Sequence, residues 1–182
     1  MSQIFAGIDV STQSQKLVVV DFENDSIIYS DSINYDNDLP DYETFNGVIR
    51  GNPAGVSESD PNMWIDGLNI LFKKLSRRTD IISSIKCLSV SGQQHGLVSI
   101  DRKGNLTRST SKLWNDFSTK KECDILTEKI GGTDEMIAEI SNSQRTGYTA
   151  SKIFYMQRNE IELFNNTYQF LLVHNYVNYF LT

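Results

Sequence analysis

The first 35 residues fall into three apolar runs, two of them alternating apolar and polar positions with a period of two. Ile4, Ala6 and Ile8 form one run, Leu17 to Val20 is continuously apolar, and Ile27, Tyr29, Ile33 and Tyr35 alternate again. Such runs mark strands. Ser11-Thr12-Gln13-Ser14 and Glu23-Asn24-Asp25 supply short polar turns between them, so the chain is expected to open as three antiparallel strands. The period then lengthens. Asp60-Pro61 reads as an N-cap followed by proline at the first helical position. Trp64, Leu68, Leu71, Phe72 and Leu75 follow on one helical face.

Strands are expected at Ile85 to Ser91 and at Leu97 to Ile100, with Asp101-Arg102-Lys103-Gly104 as a turn. Beyond Trp114-Asn115-Asp116 the pattern is helical, over about Ser118–Ile130, Thr133–Ile140, Thr149–Asn159 and His174–Thr182. One short strand near Tyr168–Val173 interrupts it. The segment from Asp36 to Ser59 has all three prolines in it or at its edge, with Gly47, Gly51 and Gly55. It reads as a loop, first as a surface insertion and second as a functional loop. The last helix reaches Thr182 without a cap or a glycine, so the chain is expected to be cut in mid-element.

Composition narrows the class. The chain has 182 residues, 39% hydrophobic and 22% charged, with a net charge of −6. That length suits one domain with a sizeable core, and the acidic balance argues against a nucleic-acid partner. Lys73-Lys74 with Arg77-Arg78 is the densest basic patch and reads as a solvated helix face. No apolar run approaches the ~20 residues needed to span a bilayer. Met1-Ser2-Gln3 opens no signal-like segment. Cys87 and Cys123 lack metal spacing and read as buried reduced thiols, which points to the cytoplasm.

Three segments carry candidate chemistry. Gly92-Gln93-Gln94-His95-Gly96 follows a strand and places polar atoms at a sheet edge, where open α/β proteins bind ligands. His95 therefore reads as functional. His174, far off near a helix start, reads as structural, and a histidine metal site is not expected. Asp9 ends the first strand and is followed by the small polar turn Ser11–Ser14. Such a carboxylate and turn suit Mg²⁺ and phosphate oxygens, but a hairpin turn capped by Asp9 is commoner on spacing alone. Trp114-Asn115-Asp116 offers an aromatic ring for a sugar face and short polar groups for hydroxyls. Equally, Trp114 fits a core position and Asp116 an N-cap. Thr149 reads as an N-cap and Lys152 as an exposed first-turn lysine.

Five segments together resemble the FGGY carbohydrate kinases, and within them the xylulose kinases. They are Gly7–Ser14, Asp60–Trp64, Gly92–Gly96, Leu113–Asp116 and Gly147–Asn159. The last matches the family's first signature, except that Tyr155 stands where tryptophan is usual. Ser11 replaces the glycine of many members, and Asp38-Leu39-Pro40 is similar to an insertion of larger, eukaryotic-type xylulose kinases.

The resemblance implies an α/β, ribonuclease H-like (actin-like ATPase) N-terminal lobe, a mixed sheet with antiparallel first strands flanked by helices. It implies that residues 1–182 are an incomplete, sugar-binding lobe, with a C-terminal nucleotide lobe absent. It assigns Gln94, His95, Trp114 and Asp116 to the sugar, Asp9 to catalysis and Mg²⁺, and Ser11, Thr12, Gln13 and Ser14 to ATP. The general base is expected downstream, so this chain alone is expected to be inactive and to bind ATP poorly. The implied function is D-xylulose phosphorylation, against another sugar or polyol (gluconate, ribulose, glycerol) or a non-catalytic sugar-binding module. An exposed inter-lobe surface would favour self-association, with a homodimer as the assembly to test.

Overall fold

The computed structural model describes residues 3–182; the reading of the Met1-Ser2 start lies outside them. The chain forms two compact units. The first comprises the chain up to Arg50, Asp60–Gln93 and His174–Thr182. Its three predicted strands form as β1 (Ile4–Val10), β2 (Ser14–Asp21) and β3 (Ser26–Asn34), paired antiparallel in that order. A fourth strand, Ile85–Gly92, lies parallel to β1 on its other side, so the sheet is mixed, in the order β3-β2-β1 and then Ile85–Gly92. A parallel partner needs a crossover connection, and the Pro61–Leu75 helix lies within it.

That helix starts as its sequence dictates. The Asp60 carboxylate accepts from the Asn62 N–H, and Pro61 fills the first position. Its Met63, Trp64, Leu68 and Leu71 have no exposed surface, and neither do Val10, Leu17 and Val19 of β1 and β2. Burial of side chains this size stabilises by about 1.5–3 kcal/mol each. Helix and sheet approach closely at Gly67, where a Cβ would lie 2.6 Å from Ile33 Cδ1 and 2.7 Å from Gln15 Oε1. Gln15 is itself fully buried and donates to the Trp64 carbonyl at 2.7 Å.

The second unit comprises Gly51–Ser59 and Gln94–Val173. Its strands are short: Glu58–Ser59 pairs antiparallel with Ser111–Lys112, and Val98–Ile100 with Gln169–Leu171. Helices Lys120–Ile130, Thr133–Ile140, Thr149–Asn159 and Ile161–Asn166 surround a core that includes Val98, Ile100, Leu113, Met136 and Met156. The helix Val173–Leu181 closes the chain.

Several expectations are corrected. The segment 36–59 is not a plain surface insertion. Within it Thr44–Phe45 and Val48–Ile49 form a hairpin, and Thr44, Glu58 and Ser59 are buried. Cys87 is exposed and only Cys123 is buried, because Cys87 falls on the open face of its strand. The helices Thr79–Ile82 and Ile161–Asn166 were not foreseen; each is too short to show a helical period. No helix among the described residues is long and apolar enough to cross a membrane.

Candidate functional site

The site residues expected from sequence fall in both units. In the first, β1 delivers Asp9 to the open sheet face, where its carboxylate accepts from the Ser11 hydroxyl and, at 2.7 Å, from the Ser91 hydroxyl. Asp9, Lys16, Ser89 and Ser91 line a concavity of about 280 Å³ together with Gly7 and Val18. Register explains the grouping: Asp9 pairs with Lys16 on β2 and with Ser91 on the parallel strand, all on one face. Among the described residues no cluster of three metal-ligating side chains occurs.

The Ser11–Ser14 turn forms as expected, closed by the Ser11 N–H donating to the Ser14 carbonyl at 3.0 Å. It is braced from an unexpected side. The Asp36 carboxylate accepts from the Thr44 hydroxyl and from the N–H groups of Asn46 and Gly47. That holds Gly47, at φ +75°, against the turn so closely that a Cβ would sit 1.8 Å from the Thr12 carbonyl oxygen. Thr12 also donates to Gln93 Oε1 at 3.3 Å, and the Gln93 N–H donates to the Val10 carbonyl at 2.9 Å. Gln93 is buried, its Nε2 has no protein partner, and sequence reasoning passed over it for Gln94.

The second unit gathers the other candidates. Gln94 is exposed; His95 follows it with a left-handed backbone, φ +60°, and its ring lies 4.5 Å from the Tyr148 ring. Burial first, and then the nearby Lys152 charge, hold the imidazole below its ordinary pKa. Lys152 is fully buried, not an exposed first-turn lysine. Its amine donates to the His95 carbonyl at 2.5 Å and to the Gly147 carbonyl at 2.6 Å. Burial pushes that amine down to about 7, while the charge of Asp116 opposes the fall. Thr149 is not the cap either: the helix begins with it, and Tyr148 stands at the N-cap with no side-chain bond.

Trp114 is 51% exposed, which removes the core reading. Asp116 is fully buried and caps no helix; Thr119 precedes Lys120–Ile130. The Asp116 carboxylate instead accepts from the Ser57 N–H at 2.9 Å and the Ser118 hydroxyl at 2.6 Å, and lies 3.5 Å from the Lys112 amine. Lys112 also pairs with Glu58 at 3.0 Å. Glu58 in turn holds Arg108 at 2.9 Å and accepts from the Thr110 hydroxyl. Burial would raise the Glu58 carboxyl, but hydrogen bonds from Arg108 and Thr110 and the charges of Arg108 and Lys112 hold it down to about 2. Glu58, Lys112 and Asp116 thus fasten the segment that presents Trp114. Gly147, at φ +85°, touches the same segment: a Cβ there would lie 2.1 Å from the Trp114 carbonyl oxygen.

A sequence model described as the FGGY family of carbohydrate kinases, N-terminal domain, matches residues 4–182. The chain belongs to the FGGY family of carbohydrate kinases. It is 33% identical over 184 residues to the xylulose kinase of Haemophilus influenzae, covering 98% of this chain and 35% of that protein. The xylulose kinase of Schizosaccharomyces pombe is also 33% identical, covering 96% of this chain and 34% of that protein. Among solved structures, the xyloylose kinase of Brucella ovis superposes with a TM-score of 0.81 at 25% identity, covering 97% of this chain and 34% of the other. The chain therefore spans about a third of the length of the curated relatives it matches. Its α/β architecture, with a mixed sheet opened by antiparallel strands, is that of the FGGY N-terminal, actin-like lobe.

Proposed function

We propose that this chain is the N-terminal, sugar-binding portion of an ATP-dependent kinase that phosphorylates D-xylulose to xylulose 5-phosphate. The observation that carries the reading is the wall formed around Lys152. It combines the half-exposed ring of Trp114 with the His95 ring packed at a tilt against that of Tyr148, in a chain 33% identical to two proteins named xylulose kinases. Aromatic rings pack on the C–H faces of sugars, and convergent polar groups fix the hydroxyls. In this reading Gln94 and His95 contact the sugar and Trp114 stacks on it. Asp116, with both oxygens engaged, reaches a hydroxyl only by releasing one of its present donors.

Asp9 and the Ser11–Ser14 turn take the phosphate side. The fit is chemical: Asp9 is an exposed oxygen ligand, and Mg²⁺ favours one or two carboxylates, retained waters and phosphate oxygens over an all-protein cage. When bound with ATP, Mg²⁺ neutralises charge that develops on the transferring phosphoryl group. Ser11 and Ser91 orient the Asp9 carboxylate, and Asp36, Gly47 and Gln93 hold the turn beside it. The base that takes the proton of the attacking hydroxyl, and most nucleotide contacts, belong in this reading to sequence outside these 182 residues. The chain alone is then inactive, and the complete enzyme is cytoplasmic.

The test is a phosphorylation panel of D-xylulose, D-ribulose, gluconate and glycerol with a full-length protein that contains this chain. The highest kcat/KM is expected for D-xylulose, with Asp9→Asn lowering it at least about a hundredfold. Turnover of glycerol or gluconate without xylulose contradicts the assignment, and sugar binding without turnover of any member favours a non-catalytic module.

A further inference from the structure

Lys152 is the one residue of the second unit whose placement departs most from its sequence. A lysine is almost never fully buried without a reason, since desolvating the amine is costly. A leucine or methionine would fill the same helical position at lower cost. The amine earns its place by joining two backbone segments distant in sequence, through the carbonyls of His95 and Gly147. At the first, it fixes a residue whose left-handed backbone is disfavoured by its own Cβ. At the second, it fixes a glycine that packs directly on the Trp114 carbonyl. The buried Asp116 carboxylate supplies nearby negative charge.

We propose that Lys152 is the positioning residue of the sugar-facing wall. Its amine clamps His95 in the left-handed conformation that lays the imidazole on Tyr148, and through Gly147 it fixes the segment that presents Trp114. Lys152 does not touch the sugar; it acts through His95 and Trp114. The specificity role rests on the sugar-binding reading of this wall, whereas the clamp itself does not.

The chain has only two histidines, His95 and His174, so the imidazole resonances report the clamp directly. In the unmutated chain the His95 ring protons should be shifted upfield by Tyr148 and show a cross-peak to its ring. Lys152→Met should abolish both features. The companion Tyr148→Leu removes only the ring contact, so the His95 carbonyl and Cα shifts should keep their left-handed values. It also gives a reading should Lys152→Met fail to fold. An unaltered His95 ring in Lys152→Met, or a relaxed His95 backbone in Tyr148→Leu, overturns the clamp. Where the unmutated chain binds D-xylulose, Lys152→Met should weaken it about ten- to hundredfold. An affinity equal to that of the unmutated chain overturns the positioning role. If the unmutated chain binds no sugar while the imidazole signals behave as described, the clamp stands and the sugar reading fails.

Discussion

Replacing Glu58 with glutamine tests whether the Glu58–Arg108–Lys112 cluster holds the strand that leads to Trp114. The glutamine keeps the shape and removes the charge. As carboxylate partners Arg108 then keeps Glu160 at 3.0 Å, and Lys112 keeps Asp116 at 3.5 Å. The Glu58 side chain is only 10% exposed, so solvent screens the cluster weakly. Lowering its carboxyl from 4.5 to about 2 corresponds to about 3 kcal/mol of stability, at ~1.4 kcal/mol per pH unit. Because the folded-state value is the lower one, this contribution is complete above about pH 5 and is lost as pH falls towards 2. About 2 kcal/mol of it is gone by pH 3. Urea unfolding of both proteins at pH 7 and pH 3, with equal m-values, isolates the effect from the other carboxylates. The stability gap between them should shrink from about 3 to about 1 kcal/mol. A gap that does not change between the two pH values refutes the charge argument, and a gap below about 1 kcal/mol at pH 7 refutes the structural one.

Gly147→Ala forces a Cβ towards the Trp114 carbonyl oxygen at a left-handed position, so unfolding free energy should fall by roughly 2–4 kcal/mol, read from denaturant midpoints. Gly47→Ala meets the Thr12 carbonyl in the same way and should cost a similar ~2–4 kcal/mol. It should also shift the amide resonances of Ser11 to Ser14 while leaving those of the second unit in place. Trp114→Ala separates binding from stability. Truncating the half-exposed ring should lower the unfolding free energy by only about 1 kcal/mol, yet weaken D-xylulose binding about tenfold by calorimetry.

Strand and helix periods located most elements of the fold because each buries a single continuous face. The alternation of Ile4, Ala6 and Ile8 and the Asp60-Pro61 start both appear where local chemistry places them. Strands of two residues escaped, since Glu58–Ser59 and Ser111–Lys112 exist only through pairing with each other. The same limit explains Lys152. From sequence it is a polar residue in a first helical turn, and the carbonyls of the distant His95 and of Gly147, with the nearby Asp116 charge, make its burial tolerable. Asp116 reads locally as a cap, but Ser57, far away in sequence, turns its carboxylate inward. Gln93 carried a usable signal, lying in the same pentapeptide as His95, but nothing local said which glutamine would be buried. The five ordered segments identified the family where single motifs could not.

The proposed sugar-facing wall is tested most directly by titrating D-xylulose into the chain while following His95 and the two tryptophans by NMR. Trp64 is fully buried and Trp114 half-exposed, so the tryptophan signals carry an internal control. The side-chain resonances of His95 and Trp114 should move together and saturate at lower concentrations of D-xylulose than of glycerol, while those of Trp64 stay in place. Resonances of His95 and Trp114 that do not move, or that respond equally to glycerol, would contradict the assignment of this wall to xylulose.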